Sequence, residues 1–310
     1  VARFGERGAG IAALVGVTAL WGISFPLVED VVAGRGLGEI LYFLFLRFGV
    51  ATLAFLPVAG RLARASRVGG LRAWGLALFI GLLFFCGFYL QSWGLKHTDA
   101  SRSAFVTVLS VPMVPLLAAA LARRAPSRRH LIGSLAATAG IALVLAPGGE
   151  IAPNRGDWLT LASASFFAVE IVALGYVARR APVIVVAVGQ ILGVALIAGL
   201  GLLVLGVETP AEWPGLGRGV WITGLLCTTL ALGAMTWGQA RVRPEMAAVI
   251  FALEPVFASL FVWLLGDRGL GPWQAVGGLV VFLSVAWTAR GEVAAELRAR
   301  REGAGAVRVP

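Results

Sequence analysis

Apolar residues in this chain run on for about 20 positions at a time, with the polar residues gathered between the runs. The stretch "GIAALVGVTALWGISFPLVEDVV" (10–32) shows the pattern. At 1.5 Å per residue, about 20 helical residues match a bilayer core about 30 Å thick. A membrane β-barrel requires short segments of alternating polarity, and these runs do not alternate. The pattern predicts ten spanning helices, over 10–33, 39–58, 71–93, 100–122, 129–146, 156–179, 182–205, 218–240, 245–266 and 271–290. The first is read as a span and not a removable leader, because it carries Glu29-Asp30 and lacks a small-residue cleavage-like tail.

Gly, Pro and Arg punctuate the runs, as in "AGRGLG", "RRAPSRR" and "LGDRGLGP". The connections are short, so neighbouring helices are expected to be antiparallel. With ten spans, 19 Lys and Arg fall on the side that holds both termini and 6 on the other, with Arg47 inside a helix. The positive-inside rule then places both termini in the cytoplasm, and the expected location is the bacterial inner membrane.

Slid against itself by about 143 residues, the chain repeats its landmarks across three helices. "AFVTVLSVPMVPLLAAAL" (104–121) lies over "AAVIFALEPVFASLFVWL" (247–264), with Pro112 on Pro255. "HLIGSLAATAGIALVL" (130–145) lies over "WQAVGGLVVFLSVAWT" (273–288). Five helices per half is an odd number, so the halves must run in opposite senses. The expectation is an all-α membrane protein of two inverted five-helix repeats, 1–146 and 147–290, followed by a cytoplasmic tail, 291–310. Secondary transporters built this way carry their site near the midplane between the halves.

Composition sharpens this. Of the 310 residues 59% are hydrophobic and 14% charged, against roughly 25% charged for a soluble domain. The net charge of +10 sits in short Arg clusters between apolar runs, which set topology, so no nucleic-acid partner is expected. Cys86 and Cys227 lie within apolar runs and read as small buried residues. With only His97 and His130 besides, no metal site is expected, and no cofactor. HExxH, GxxxxGK[ST] and GxSxG are absent, and "GRGLG" (34–38) is a turn without the strand a nucleotide fingerprint needs, so no enzyme is predicted.

The chain resembles the drug/metabolite transporter superfamily, in its ten-helix EamA-type branch. The resemblance is carried by "ALWGISF" (19–25), "LRFGVA" (46–51), "VLSVPMVPLLAAAL" (108–121) and "FALEPVFASLFVWLLGDRGLGPWQAVGGLVVFLSV" (251–285), and covers about 10–290. It implies an exporter or exchanger of small metabolites, with a central cavity lined by helices 1–4 and 6–9 and with helices 5 and 10 peripheral. The aromatic, Trp-rich character is similar to the bacterial aromatic amino acid exporter branch. Trp21 and Ser24 match the family's Trp-Gly signature and are implied to face the cavity.

Within the spans, the ionisable residues stand out. Glu254 lies about nine residues into its helix, near the midplane, directly before Pro255. Its counterpart in the first half is Val111, whereas the proline is kept, so Pro112 and Pro255 read as paired helix kinks. Arg47 lies at a similar depth in helix 2 and Glu170 inside helix 6. A charge at that depth costs about 2.5–3.5 kcal/mol, and Arg does not shed its proton. The three residues read either as a substrate- or proton-handling set or as a static tie between helices. In helix 3, Phe85, Tyr89 and Trp93 share one face beside Gln91, a stacking surface or ordinary packing; Phe84 and Phe88 add to the same aromatic helix. Tyr42, Gln190, Trp237 and Gln239 are further cavity candidates, and Glu29 and Asp30 read as headgroup-level acids.

The function expected is secondary transport of small amphipathic metabolites, amino acids including aromatic ones first, by alternating access. A drug exporter and a non-transporting membrane subunit are the alternatives. The expected partners are a small-molecule substrate and the lipid bilayer, with the protein a monomer.

Overall fold

The computed structural model describes residues 4–32, 34–98, 103, 106–145, 153–208, 213, 215–265 and 272–305. Among the described residues there is no strand. The first half holds α1 (Phe4–Val32), α2 (Leu37–Leu53), α3 (Ala59–Gly94), α4 (Ser110–Leu121) and α5 (Arg128–Leu145). The second holds α6 (Arg155–Val177), α7 (Val183–Leu205) and a rod of α8 (Leu216–Ile222), a π-helical segment (Thr223–Leu230) and α9 (Ala231–Gln239). A second rod is broken into α10 (Pro244–Phe251) and α11 (Glu254–Leu265), and α12 (Pro272–Gly305) completes the chain.

Local chemistry sets these boundaries. α6 starts with a capping box, in which Asn154 Oδ1 accepts from the Asp157 amide at 3.0 Å and Asp157 Oδ2 accepts from the Asn154 amide at 2.8 Å. α7 stops at Gly206, whose φ of +59° is the left-handed conformation that glycine takes freely. α3 is bent at Gly70 (φ +60°, ψ −172°), which separates a basic piece with Arg61, Arg64 and Arg67 exposed from the apolar span expected over 71–93. α12 does not stop near 290; residues 291–305, read from sequence as a tail, continue the same helix.

Two interruptions mark the expected kinks. Pro255 has no N–H to give the Phe251 carbonyl, and the rod opens into a turn at Ala252–Leu253. The first half breaks at Leu109, likewise three residues before its proline, Pro112.

Packing obeys an exchange of the two halves. Two contacts pair counterparts, α2 with α7 and α5 with α12, and α4 lies against α10, the other piece of the broken rod that holds its counterpart α11. Others come in reciprocal sets. α3 packs on α6 and α7, as the rod 216–239 packs on α1 and α2; α4 lies on α6, as α11 lies on α1. Lipid tails are as apolar as leucine, so close backbone approach must hold such helices together. At the α3–α7 crossing, a Cβ on Gly81 would lie 2.6 Å from the Gln190 carbonyl oxygen, and one on Gly193 would lie 3.1 Å from Gly81 Cα. Between α5 and α12, a Cβ on Gly140 would meet the Gly277 carbonyl oxygen at 2.8 Å.

Among the described residues, five stretches of helix are long and apolar enough to cross a membrane: Gly5–Ser24, Leu37–Gly94, Arg155–Val177, Val183–Leu205 and Leu216–Gln239. The outer surface suits lipid, with Leu116, Leu135, Leu200, Leu203, Leu279 and Phe282 all exposed.

Candidate functional site: the central cavity

A cavity lies where the two helix interruptions meet. Thr107 and Ser110 flank the break in the first half, Phe251 and Glu254 flank the break in the second, and all four line it. Its empty space is about 790 Å³, part of it continuous with solvent. The wall runs along α1 through Trp21, Ser24 and Val28, and along α3 through Phe84, Phe88 and Gln91 to Leu95, just beyond the helix end. Both helices lead away from the Arg-rich end, so the cavity extends from mid-span toward the Arg-poor end.

The Arg-rich end is packed shut. Met246 to Ile250 of α10 are fully buried. Arg124, just past α4, donates through Nη2 to Glu245 Oε1 at 3.0 Å; the arginine side chain is half-exposed and the glutamate buried. This ion pair joins the two halves.

The π-helical segment forms part of the Arg47 side. Trp21 Nε1 donates to the Cys227 carbonyl at 3.0 Å, and Cys227 Sγ to the Leu20 carbonyl at 3.3 Å. Arg47 Nε donates to Thr228 Oγ1 at 2.8 Å, and that hydroxyl donates in turn to the Thr223 carbonyl. Such π segments are frequent at functional sites, and sequence gave no sign of this one.

Arg47 is buried, with its guanidinium carbon 5.3 Å from the Phe88 ring centre and 5.6 Å from that of Phe48. Its two Nη groups make no hydrogen bond among the described residues. Glu170 is 1% exposed and also lines the cavity, and its Oε1 has no hydrogen-bond partner among the described residues. Glu254 is half-buried as the first residue of α11, where a carboxylate suits the positive end of the helix dipole. Among the described residues, no ion pair joins Arg47 to either acid. Rings fill the space between: Phe88 and Phe167 are 5.3 Å apart edge-on, Phe84 and Phe167 6.2 Å, Trp21 and Phe251 5.5 Å.

Of the residues singled out from sequence, Trp21, Ser24, Arg47, Gln91, Glu170 and Glu254 come together on this wall. Gln91 Nε2 donates to Thr107 Oγ1 at 3.0 Å. Phe85, Tyr89 and Trp93 stack along the neighbouring strip of α3, with centroids 5.6 and 6.4 Å apart, and Arg155 lies over Trp93. Tyr42 stacks on Trp213 near the start of α2. Gln190 Nε2 donates to Thr236 Oγ1 at 2.7 Å, between α7 and α9, and Arg241 covers the Trp237 ring at 3.8 Å. Gln239 is fully buried, and Asp30 is exposed near the end of α1. α7, implied by resemblance to line the cavity, supplies no lining residue among those described.

Phe167, Phe251, Met235, Thr107 and Ser110 were not anticipated. The spacing of Phe84, Phe88, Gln91 and Leu95, at i, i+4, i+7 and i+11, does carry the signal of one helix face. It lies about 100° round from Phe85–Tyr89–Trp93.

The model of the EamA-like transporter family matches residues 8–146 and again 154–290. The chain belongs to the EamA-like transporter family. The double match agrees with the packing exchange between halves, and with the apolar helices it makes the chain a multi-pass membrane transporter. An uncharacterized transporter from Archaeoglobus fulgidus is 27% identical over 273 residues, covering 87% of this chain and 82% of that protein. A solved structure, titled only as the crystal structure of a protein, superposes with a TM-score of 0.68 at 24% identity, covering 94% of this chain and 98% of its own; it speaks for the fold alone.

Proposed function

We propose that this EamA-family chain is a secondary carrier of small amphipathic metabolites, with amino acids bearing apolar or aromatic side chains first among them. The observation that supports this reading is the cavity at the two helix breaks, where Arg47, Glu170 and Glu254 stand among aromatic rings with no ion pair among the described residues. Unpaired charge near mid-span is costly, and its usual meaning is a solute path. In this reading ten crossings leave both termini in the cytoplasm of the bacterial inner membrane, and the protein works as a monomer in lipid.

A cavity that extends one way and is shut the other supports a reading of alternating access. The Arg124–Glu245 pair, which bridges the halves at the closed end, must then part in each cycle. Arg124→Ala is expected to cost less than about 3 kcal/mol in stability, because the arginine is half-exposed. It is expected to raise labelling, from the Arg-rich side, of a cysteine placed at Ser110. Unchanged labelling would contradict a closing role for this pair.

Purified protein in sealed liposomes, offered a panel of radiolabelled amino acids, tests the function. Saturable uptake of an apolar or aromatic member is expected. A panel in which nothing moves would overturn the proposal.

A further inference from the structure

We infer that the cavity recognises its substrate as a zwitterion, with Arg47 taking the carboxylate and Glu170 the ammonium. This rests on the carrier reading above and adds the charge pattern that the substrate must bear.

The two groups are held in place by different means. Arg47 is fixed by its Nε bond to Thr228 and by the Phe48 and Phe88 rings, which leaves its Nη groups as the free edge. That edge has the fork geometry that suits a carboxylate. Glu170 sits on α6, which is tied to α3 by the bond from Ser163 Oγ to the Gly87 carbonyl at 2.8 Å. Three residues before it on the same helix, Phe167 reaches Phe84 and Phe88, so Arg47, Phe88, Phe167 and Glu170 form one continuous wall. A guanidinium edge and a carboxyl group on one wall, not paired with each other, are complementary to a ligand that brings a carboxylate and an ammonium. The rings between them accept its apolar part, and aromatic faces also favour an ammonium group.

Glu254 is the other acid, and the choice between the two rests on burial. Glu170 Oε1 is buried and has no hydrogen-bond partner among the described residues, so a donor brought into the cavity would satisfy it. Glu254 is half-buried at the mouth of a broken helix.

A site built around buried hydrogen-bonding groups strongly rejects the analogue that lacks their partner. The test uses full-length protein in lipid nanodiscs and two sets of competitors: phenylalanine, 3-phenylpropionate and 2-phenylethylamine, and leucine, 4-methylpentanoate and isoamylamine. In at least one set, the amine-free and the carboxylate-free analogue should each bind at least about tenfold more weakly than the amino acid. Glu170→Gln, matched in size, should abolish the penalty for the amine-free acid and keep that for the carboxylate-free amine. Glu254→Gln should leave the ranking as it is. Equal binding of amino acid and amine-free acid by the wild type would overturn the inference without need of any variant. So would an unchanged ranking in a folded Glu170→Gln protein, or its loss in Glu254→Gln. If solutes are carried without preference for zwitterions, the inference falls and the carrier reading stands; if none is bound or moved, both fall.

Discussion

Gly81→Ala is expected to be among the most damaging single-methyl additions to this protein. The new Cβ would lie 2.6 Å from the Gln190 carbonyl oxygen and 2.9 Å from Gly193 Cα, both backbone atoms of α7. No rotamer relieves such contacts, so α3 and α7 must move apart along a crossing that joins the halves. Overpacking of this kind costs about 3 kcal/mol. Gly16→Ala is the control, since nothing lies within 4 Å of its added methyl. In detergent, tryptophan fluorescence should show a clearly lowered melting point for Gly81→Ala and little change for Gly16→Ala. Equal melting points would mean that the helices do not approach as described.

Arg47→Gln should separate transport from folding. Were Arg47 locked to Glu254 in a buried pair, removing it would strand the acid and cost about 3–5 kcal/mol. Among the described residues its one side-chain hydrogen bond goes instead to Thr228, whose own bond to the Thr223 carbonyl survives the substitution. Replacing a mid-span cation with a neutral amide also removes an insertion cost of about 2.5–3.5 kcal/mol. Arg47→Gln is therefore expected to fold at least as well as the wild type. Loss of a charge-assisted bond to substrate, worth about 1.5–3 kcal/mol, should lower kcat/KM about 10- to 100-fold. A variant that misfolds, or that transports normally, would contradict this role.

Much of the architecture is legible in the sequence, because its physical causes are local. Runs of about 20 apolar residues announce helices, and a proline without an N–H announces the break at Ala252–Leu253 and its counterpart at Leu109. Repeated landmarks announce two halves, which the family match over 8–146 and 154–290 shares. Mid-span Arg47, Glu170 and Glu254 are conspicuous because water is absent there. What is not legible depends on rotation and on distant partners. In α3 the candidate strips Phe84–Phe88–Gln91 and Phe85–Tyr89–Trp93 differ by one residue of register, and each carries aromatic rings and a polar group, Gln91 or the Tyr89 hydroxyl, so the pattern alone does not say which one faces inward. The π-helical segment depends on bonds from Trp21 and Arg47, some 180–206 residues away, that no local pattern records. The continuation of α12 to Gly305 was hidden by its change from apolar to charged residues, which ends a span without ending a helix.

Glu254 itself has a local account. It opens α11 beside a proline that suits a helix's first turn, at a break that the first half repeats with Val111 in its place. The halves thus share a frame and differ in what they present to the cavity.

The most direct measurement is counterflow. Liposomes loaded with unlabelled phenylalanine or leucine and diluted into a trace of the labelled compound should show transient accumulation above the equilibrium level, which decays as the internal pool exchanges. A carrier whose single cavity faces one side at a time produces this overshoot. Label that only rises to equilibrium, at a rate linear in concentration, would mark an open pore and contradict the account.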